Sequence, residues 1–113
     1  KVDNLIATVD YNGQQIDGST SIVLGLEPLK EKWLAFGWDV LAMDGNNIDE
    51  IEATLTIAKS KLGKGKPICI LMKTIMGKGV DFMEGTHEWH GIAPNDEQLV
   101  KALQQLPETL GDY

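Results

Sequence analysis

The sequence contains no arginine. Without a guanidinium there is no planar fork to clamp a phosphate or to read a guanine edge. Ten lysines face seventeen acidic residues, for a formal net charge of −7. That balance argues against nucleic acid and anionic membrane as partners. It leaves room for a phosphorylated ligand held by backbone amides or by a metal ion. Cysteine is nearly absent as well. Cys69 is alone, which excludes an internal disulfide. Its apolar setting reads as a core thiol in a reducing compartment, not as a nucleophile. No apolar run is long enough to span a bilayer, and no signal-peptide pattern is present. Together these absences predict a cytoplasmic chain.

What is present suits one domain. A length of 113 residues, 42% apolar and 24% charged, is ordinary for a globular fold with its own core. There is no repeat and no low-complexity linker. The chain opens on Lys1 where an initiator Met would stand, and it runs almost at once into a strand. It therefore reads as a piece of a longer polypeptide, and Tyr113, soon after the last helix, suits a subunit or domain end.

Leu5-Ile6-Ala7-Thr8-Val9 is a continuous apolar run that reads as a strand buried on both faces. Pro28 marks a helix start, Leu29, Trp33 and Phe36 follow at helical spacing, and Gly37 stops the helix. Trp38 to Met43 reads as the second strand. Asn47 and Glu50 have capping-box spacing, and Ile48, Ile51, Leu55, Ala58 and Leu62 mark one helix face ending at Gly63. Pro67 opens a third strand, Ile68 to Met72, apolar throughout. A long irregular stretch, 76–94, precedes a last helix from Asn95. That helix has Asp96 and Glu97 in its first turn, Leu99, Leu103 and Leu106 as its buried face, and Pro107 as its stop. Alternation of apolar strands and helices predicts an α/β fold: a parallel sheet with right-handed crossovers and helices on both faces. Three strands make a narrow sheet, so further strands are expected from elsewhere in the protein.

Ligands of open parallel sheets bind beyond the carboxyl ends of the strands. That edge holds residues 10–18, residues 43–46, and the loop from Lys73 onward with both histidines. Taken alone, Asn12-Gly13 and Asp44-Gly45 read as turns. Lys73 reads equally as a snorkelling strand-end lysine and as a ligand-facing cation. Gly77 and Gly79 let backbone approach an anion but name no phosphate loop. His87 reads as an exposed loop residue. His90, past the third strand, suits proton handling or hydroxyl binding. The two histidines lack the companions that a structural zinc needs.

The ordered set of motifs resembles the transketolases. The strand followed by "VDYNGQQIDG" is similar to the second half of their thiamine-diphosphate motif, an Asp-x-Asn turn with Ile-Asp-Gly shortly after. Phe36-Gly37-Trp38, Asp44-Gly45, the Lys-Thr-x-x-Gly-x-Gly segment from Lys73 to Gly79, and Trp89-His90-Gly91 before Pro94 complete the likeness over nearly the whole chain. The resemblance implies an incomplete thiamine-diphosphate-binding domain over residues 1–113, acting in an intact enzyme that moves a two-carbon ketol unit from a ketose phosphate to an aldose phosphate. It implies thiamine diphosphate and Mg2+ (or Ca2+) as cofactors, and pentose phosphate metabolism as the setting. Asn12 and the main-chain carbonyl of Gln14 are implied as magnesium ligands, which suits a cation that takes hard oxygen donors. Ile16, Lys73 and His90 are implied as cofactor contacts, and His90 as the residue nearest the chemistry.

The family's motif begins with a Gly-Asp-Gly whose Asp is the anionic magnesium ligand, and residues 1–11 contain no such segment. The pyrimidine-binding domain with its activating glutamate is also absent. The chain alone is therefore expected to be inactive. It is expected to work with the remaining transketolase domains or subunit, in a homodimer or heterotetramer. Two alternatives stay open from sequence. One is a fragment of another thiamine enzyme, of the deoxyxylulose phosphate synthase, dihydroxyacetone synthase or dehydrogenase E1 type. The other is a non-catalytic α/β interaction module.

Overall fold

A computed structural model describes residues 2–107; the expectations for Lys1 and Tyr113 lie outside the described residues. The element order is β1 (Ile6–Asp10), β2 (Gln14–Gln15), β3 (Gly18–Ser19), α1 (Thr20–Val23), α2 (Leu29–Ala35), β4 (Asp39–Asp44), α3 (Ile48–Lys61), β5 (Ile68–Lys73), a 3-10 turn (His87–His90) and α4 (Asp96–Gln105). β5 lies at the centre of a three-stranded parallel sheet of order β1-β5-β4. The central place follows from its composition, since Ile68, Cys69, Ile70 and Leu71 bury both faces of the strand. The register pairs Ile6 and Asp39 with Ile68, and Asp10 and Met43 with Met72, so the carboxyl ends of all three strands emerge at one edge.

One buried cluster lies on the α3 face of this sheet. Met43, Ile68 and Ile70 meet Ala58 of α3, with Ile6, Leu41, Ile51, Leu55, Leu62 and Met72 packed around them. Burial of an Ile side chain contributes about 1.5–3 kcal/mol. α3 is held at both ends. Asn47 Oδ1 accepts from the Asp49 and Glu50 N–H groups, and the Lys61 ammonium meets Asp39 of β4 at 2.9 Å. Glu50 does not close a capping box on Asn47. Its carboxylate takes the Asp44 N–H instead, at 2.9 Å.

Several sequence expectations need correction. β1 is not buried on both faces. It is an edge strand among the described residues; Thr8 and Asp10 are exposed and the rest only half-buried. The apolar face of α4 is uncovered too: Leu99, Leu103 and Leu106 are 45%, 61% and 42% exposed, and only Ala102 is buried. Ile48, at the start of α3, is also exposed. Amphipathic spacing identifies an apolar face but not the surface that covers it. The last helix starts where expected, and Asn95 caps it through a reciprocal pair in which Gln98 answers Asn95.

Candidate functional site

The site grows from the end of β1. The Tyr11 N–H continues the sheet pairing to the Met72 carbonyl. Asn12 then turns the chain, its Oδ1 accepting the Gln14 N–H at 2.9 Å. Gly13 takes a left-handed φ of +73°, which a side chain would resist. Its carbonyl accepts from the Thr20 N–H, closing the small β2–β3 hairpin onto its own base. Ile16 and Asp17 form the hairpin tip, and Ile16 is 69% exposed, an uncovered apolar side chain at the site.

The opposite wall comes from the stretch after β5, which is folded upon itself. The Gly85 N–H donates to the Met76 carbonyl. Glu84 accepts the Gly79 N–H and pairs with Lys78 at 3.4 Å. That N–H bond and the Lys78 ammonium hold the Glu84 carboxyl below its usual range. The Trp89 indole donates to the Phe82 carbonyl at 3.0 Å, its ring edge-on to Phe82. Those contacts anchor the 3-10 turn that presents His90. The Gln14 side-chain amide donates to the Gly85 carbonyl at 3.3 Å, joining the two walls.

Between them lies a cleft of about 360 Å3. Asn12, Gln14, Ile16 and His90 all line it, so the structure brings together four of the five site residues expected from sequence. Lys73 is not among them. It ends β5, exposed, and lines a neighbouring hollow of about 620 Å3 with Tyr11, Asp44 and Glu50. His87 does not line the cleft and is half-buried, not exposed as expected. Sequence reasoning missed Gln15, Asp17 and Met76, which also line the cleft. Only their place beyond the strand ends could have pointed to them.

The lining offers neutral side-chain oxygens from Asn12, Gln14 and Gln15 and one carboxylate, Asp17. After accepting from Gln14, Asn12 Oδ1 keeps a second lone pair. Among the described residues no group of three or more His, Cys, Asp or Glu side chains could hold a metal ion. A hard cation fits the Asn12 side, provided that the ligand's own oxygens and a carboxylate from another segment complete its shell. Cys69, buried in β5, is removed from all of this, and burial pushes its thiol pKa up. No helix among the described residues is long and apolar enough to cross a membrane.

Comparison with known proteins bears on this arrangement. Residues 1–109 match the family model described as transketolase, thiamine diphosphate binding domain. A 6-deoxy-6-sulfo-D-fructose transketolase subunit of Clostridium sp. (strain MSTE9) is 44% identical over 106 residues, which are 94% of this chain and 38% of that protein. An apulose-4-phosphate transketolase subunit from Phocaeicola vulgatus is 39% identical over 110 residues, which are 97% of this chain and again 38% of that protein. The crystal structure of a transketolase from Campylobacter jejuni superposes with a TM-score of 0.81 at 34% identity, covering 91% of this chain and 16% of that one. The chain thus spans well under half the length of these relatives.

Proposed function

The chain belongs to the transketolase thiamine diphosphate-binding domain family, and on that premise we propose that it helps to transfer a two-carbon ketol unit from a ketose phosphate to an aldose phosphate. One observation carries the reading. Asn12, Gln14 and Ile16 from one segment and His90 from another converge on a single cleft beyond the carboxyl ends of the strands. The alternatives of another thiamine enzyme or a non-catalytic module lack a comparable observation in their favour.

Thiamine diphosphate, when bound, supplies the electron sink that carbon–carbon cleavage needs. The chain's own residues bind and orient. Asn12 Oδ1 and the Gln14 carbonyl offer hard oxygens to Mg2+ or Ca2+, the bridge by which a chain this acidic holds a diphosphate. The uncovered Ile16 side chain offers an apolar surface to a ring. His90, held by the anchored Trp89, offers an imidazole that can bind a substrate hydroxyl and hold or move its proton. Lys73, in the adjoining hollow, offers its charge to the diphosphate or the incoming sugar phosphate.

The site is to be completed from outside residues 1–113, by a carboxylate on the metal and by the pyrimidine-binding domain. Residues 1–113 form one incomplete domain in this reading. Among the described residues β1 has an open edge, which supports it, since a parallel strand with an apolar sequence normally has neighbours on both sides. The names of two relatives as transketolase subunits support a second, partner subunit. The test is product analysis of the complete protein and its partner subunit with xylulose phosphate and an aldose acceptor. Asn12→Ala should raise the thiamine diphosphate and magnesium concentrations needed for activity. His90→Ala should lower turnover more than it weakens metal binding. Turnover indifferent to the coenzyme refutes the reading, and equal loss of turnover and metal binding removes the proposed role of His90.

A further inference from the structure

The turn that ends β4 reaches into the loop that follows β5. Asn46 sits on this turn, exposed. Its Oδ1 accepts the Ile75 N–H at 2.8 Å, while its own N–H donates to the Asp44 carboxylate, also at 2.8 Å. The Gly45 N–H donates to the Lys73 carbonyl. Gly45 is seated so closely that a Cβ would stand 2.5 Å from Thr74 Cγ2 and 3.0 Å from Met72 Cβ. From the other side, the Thr74 hydroxyl donates to the Asp10 carboxylate at the end of β1. Residues 73–75 are therefore gripped between the ends of both outer strands. Met76, next in the chain, lines the cleft, and its carbonyl binds Gly85, whose carbonyl binds the Gln14 side chain.

We propose that Asn46 is a positioning residue for the cofactor cleft. By accepting the Ile75 N–H it sets the direction in which the chain leaves β5, and so the distance between the Met76 wall and the Asn12 wall. Asn46 itself does not line the cleft. The Ile75 N–H is in an exposed residue, so water replaces the lost acceptor and no buried donor is orphaned. The consequence falls on placement and not on overall stability. The inference rests on the thiamine diphosphate reading above.

The experiment compares wild type, Asn46→Ala and Asn46→Asp, each as the complete protein with its partner subunit. The readouts are thiamine diphosphate saturation at fixed Mg2+, melting temperature, and amide exchange across residues 75–77. Asn46→Ala should raise the half-saturating coenzyme concentration about twofold to twelvefold and speed exchange at Ile75, with the melting temperature nearly unmoved. Asn46→Asp keeps the acceptor and should recover most of the affinity. Wild-type saturation in Asn46→Ala, or equal impairment in both variants, overturns the positioning role alone. A wild type that does not bind thiamine diphosphate overturns the functional reading and this inference with it.

Discussion

Replacing Gly77 by alanine adds one methyl group where the backbone leaves no space for it. Gly77 has φ +69°, and a Cβ there would lie 2.5 Å from the Met83 carbonyl oxygen and 2.6 Å from its carbon. Gly63 is the natural control. Its φ of +76° is almost the same, yet nothing lies within 4 Å of its Cβ position. Gly63→Ala therefore carries only the cost of a left-handed L-residue, about 1–2 kcal/mol. Gly77→Ala adds overpacking against backbone atoms that cannot rotate away, typically about 1–3 kcal/mol more.

The added strain falls on the turn that closes through Val80 N–H to Gly77 O and Gly85 N–H to Met76 O, so that turn should open locally. Hydrogen exchange read by mass spectrometry checks this in the complete protein. Peptides covering 76–85 should exchange at least about thirtyfold faster in Gly77→Ala, a factor worth about 2 kcal/mol. Peptides around residue 63 should respond less in Gly63→Ala, by about fivefold to thirtyfold. Thiamine diphosphate affinity should fall in the first variant and hold in the second. Equal responses of the two loops to their own substitutions would refute the reasoning, because the close approach of Met83 would then contribute nothing.

Two other expectations concern the frame. Ile70 is fully buried at the centre of β5, so Ile70→Ala should destabilise the fold by about 2–5 kcal/mol, read as a lowered denaturation midpoint; a loss below about 1 kcal/mol would mean that the core has collapsed around the gap. Lys61, bonded to the Asp39 carboxylate, holds its pKa below the ordinary carboxylate value. The pair's contribution is present above that ordinary value and disappears as pH falls through the depressed one. Both side chains are about a third or more exposed, which limits the contribution to less than about 1 kcal/mol. Lys61→Met should return the Asp39 pKa toward 3.8 in a carboxyl titration followed by NMR, with little change in stability.

The elements most legible in the sequence were those specified by local chemistry. Pro28, Gly37, Asn47, Gly63 and Asn95 delimit helices because capping and left-handed turns depend on a few adjacent residues. β5 was legible because its unbroken apolar run, bounded by Pro67, suits a strand covered on both faces. Burial was less so. The α4 leucines repeat at helical spacing and are nonetheless exposed among the described residues, since periodicity is a property of one helix and cover is supplied by another surface. The same limit applies to β1, whose apolar residues lie on an open edge.

For the site, the sequence alone determined which residue types are available and at which sheet edge they gather. Chain order, the strand-end rule and the family resemblance together were enough to nominate Asn12, Gln14, Ile16, Lys73 and His90. The tertiary structure decided their grouping, with four around one cleft and Lys73 beside it. It also made Asn46 the acceptor for an amide in a different loop, and brought the Met83 backbone against Gly77. The reason is physical. Propensities and caps act over a few residues, whereas a cleft is set by the packing of segments distant in sequence, and no local pattern encodes their separation.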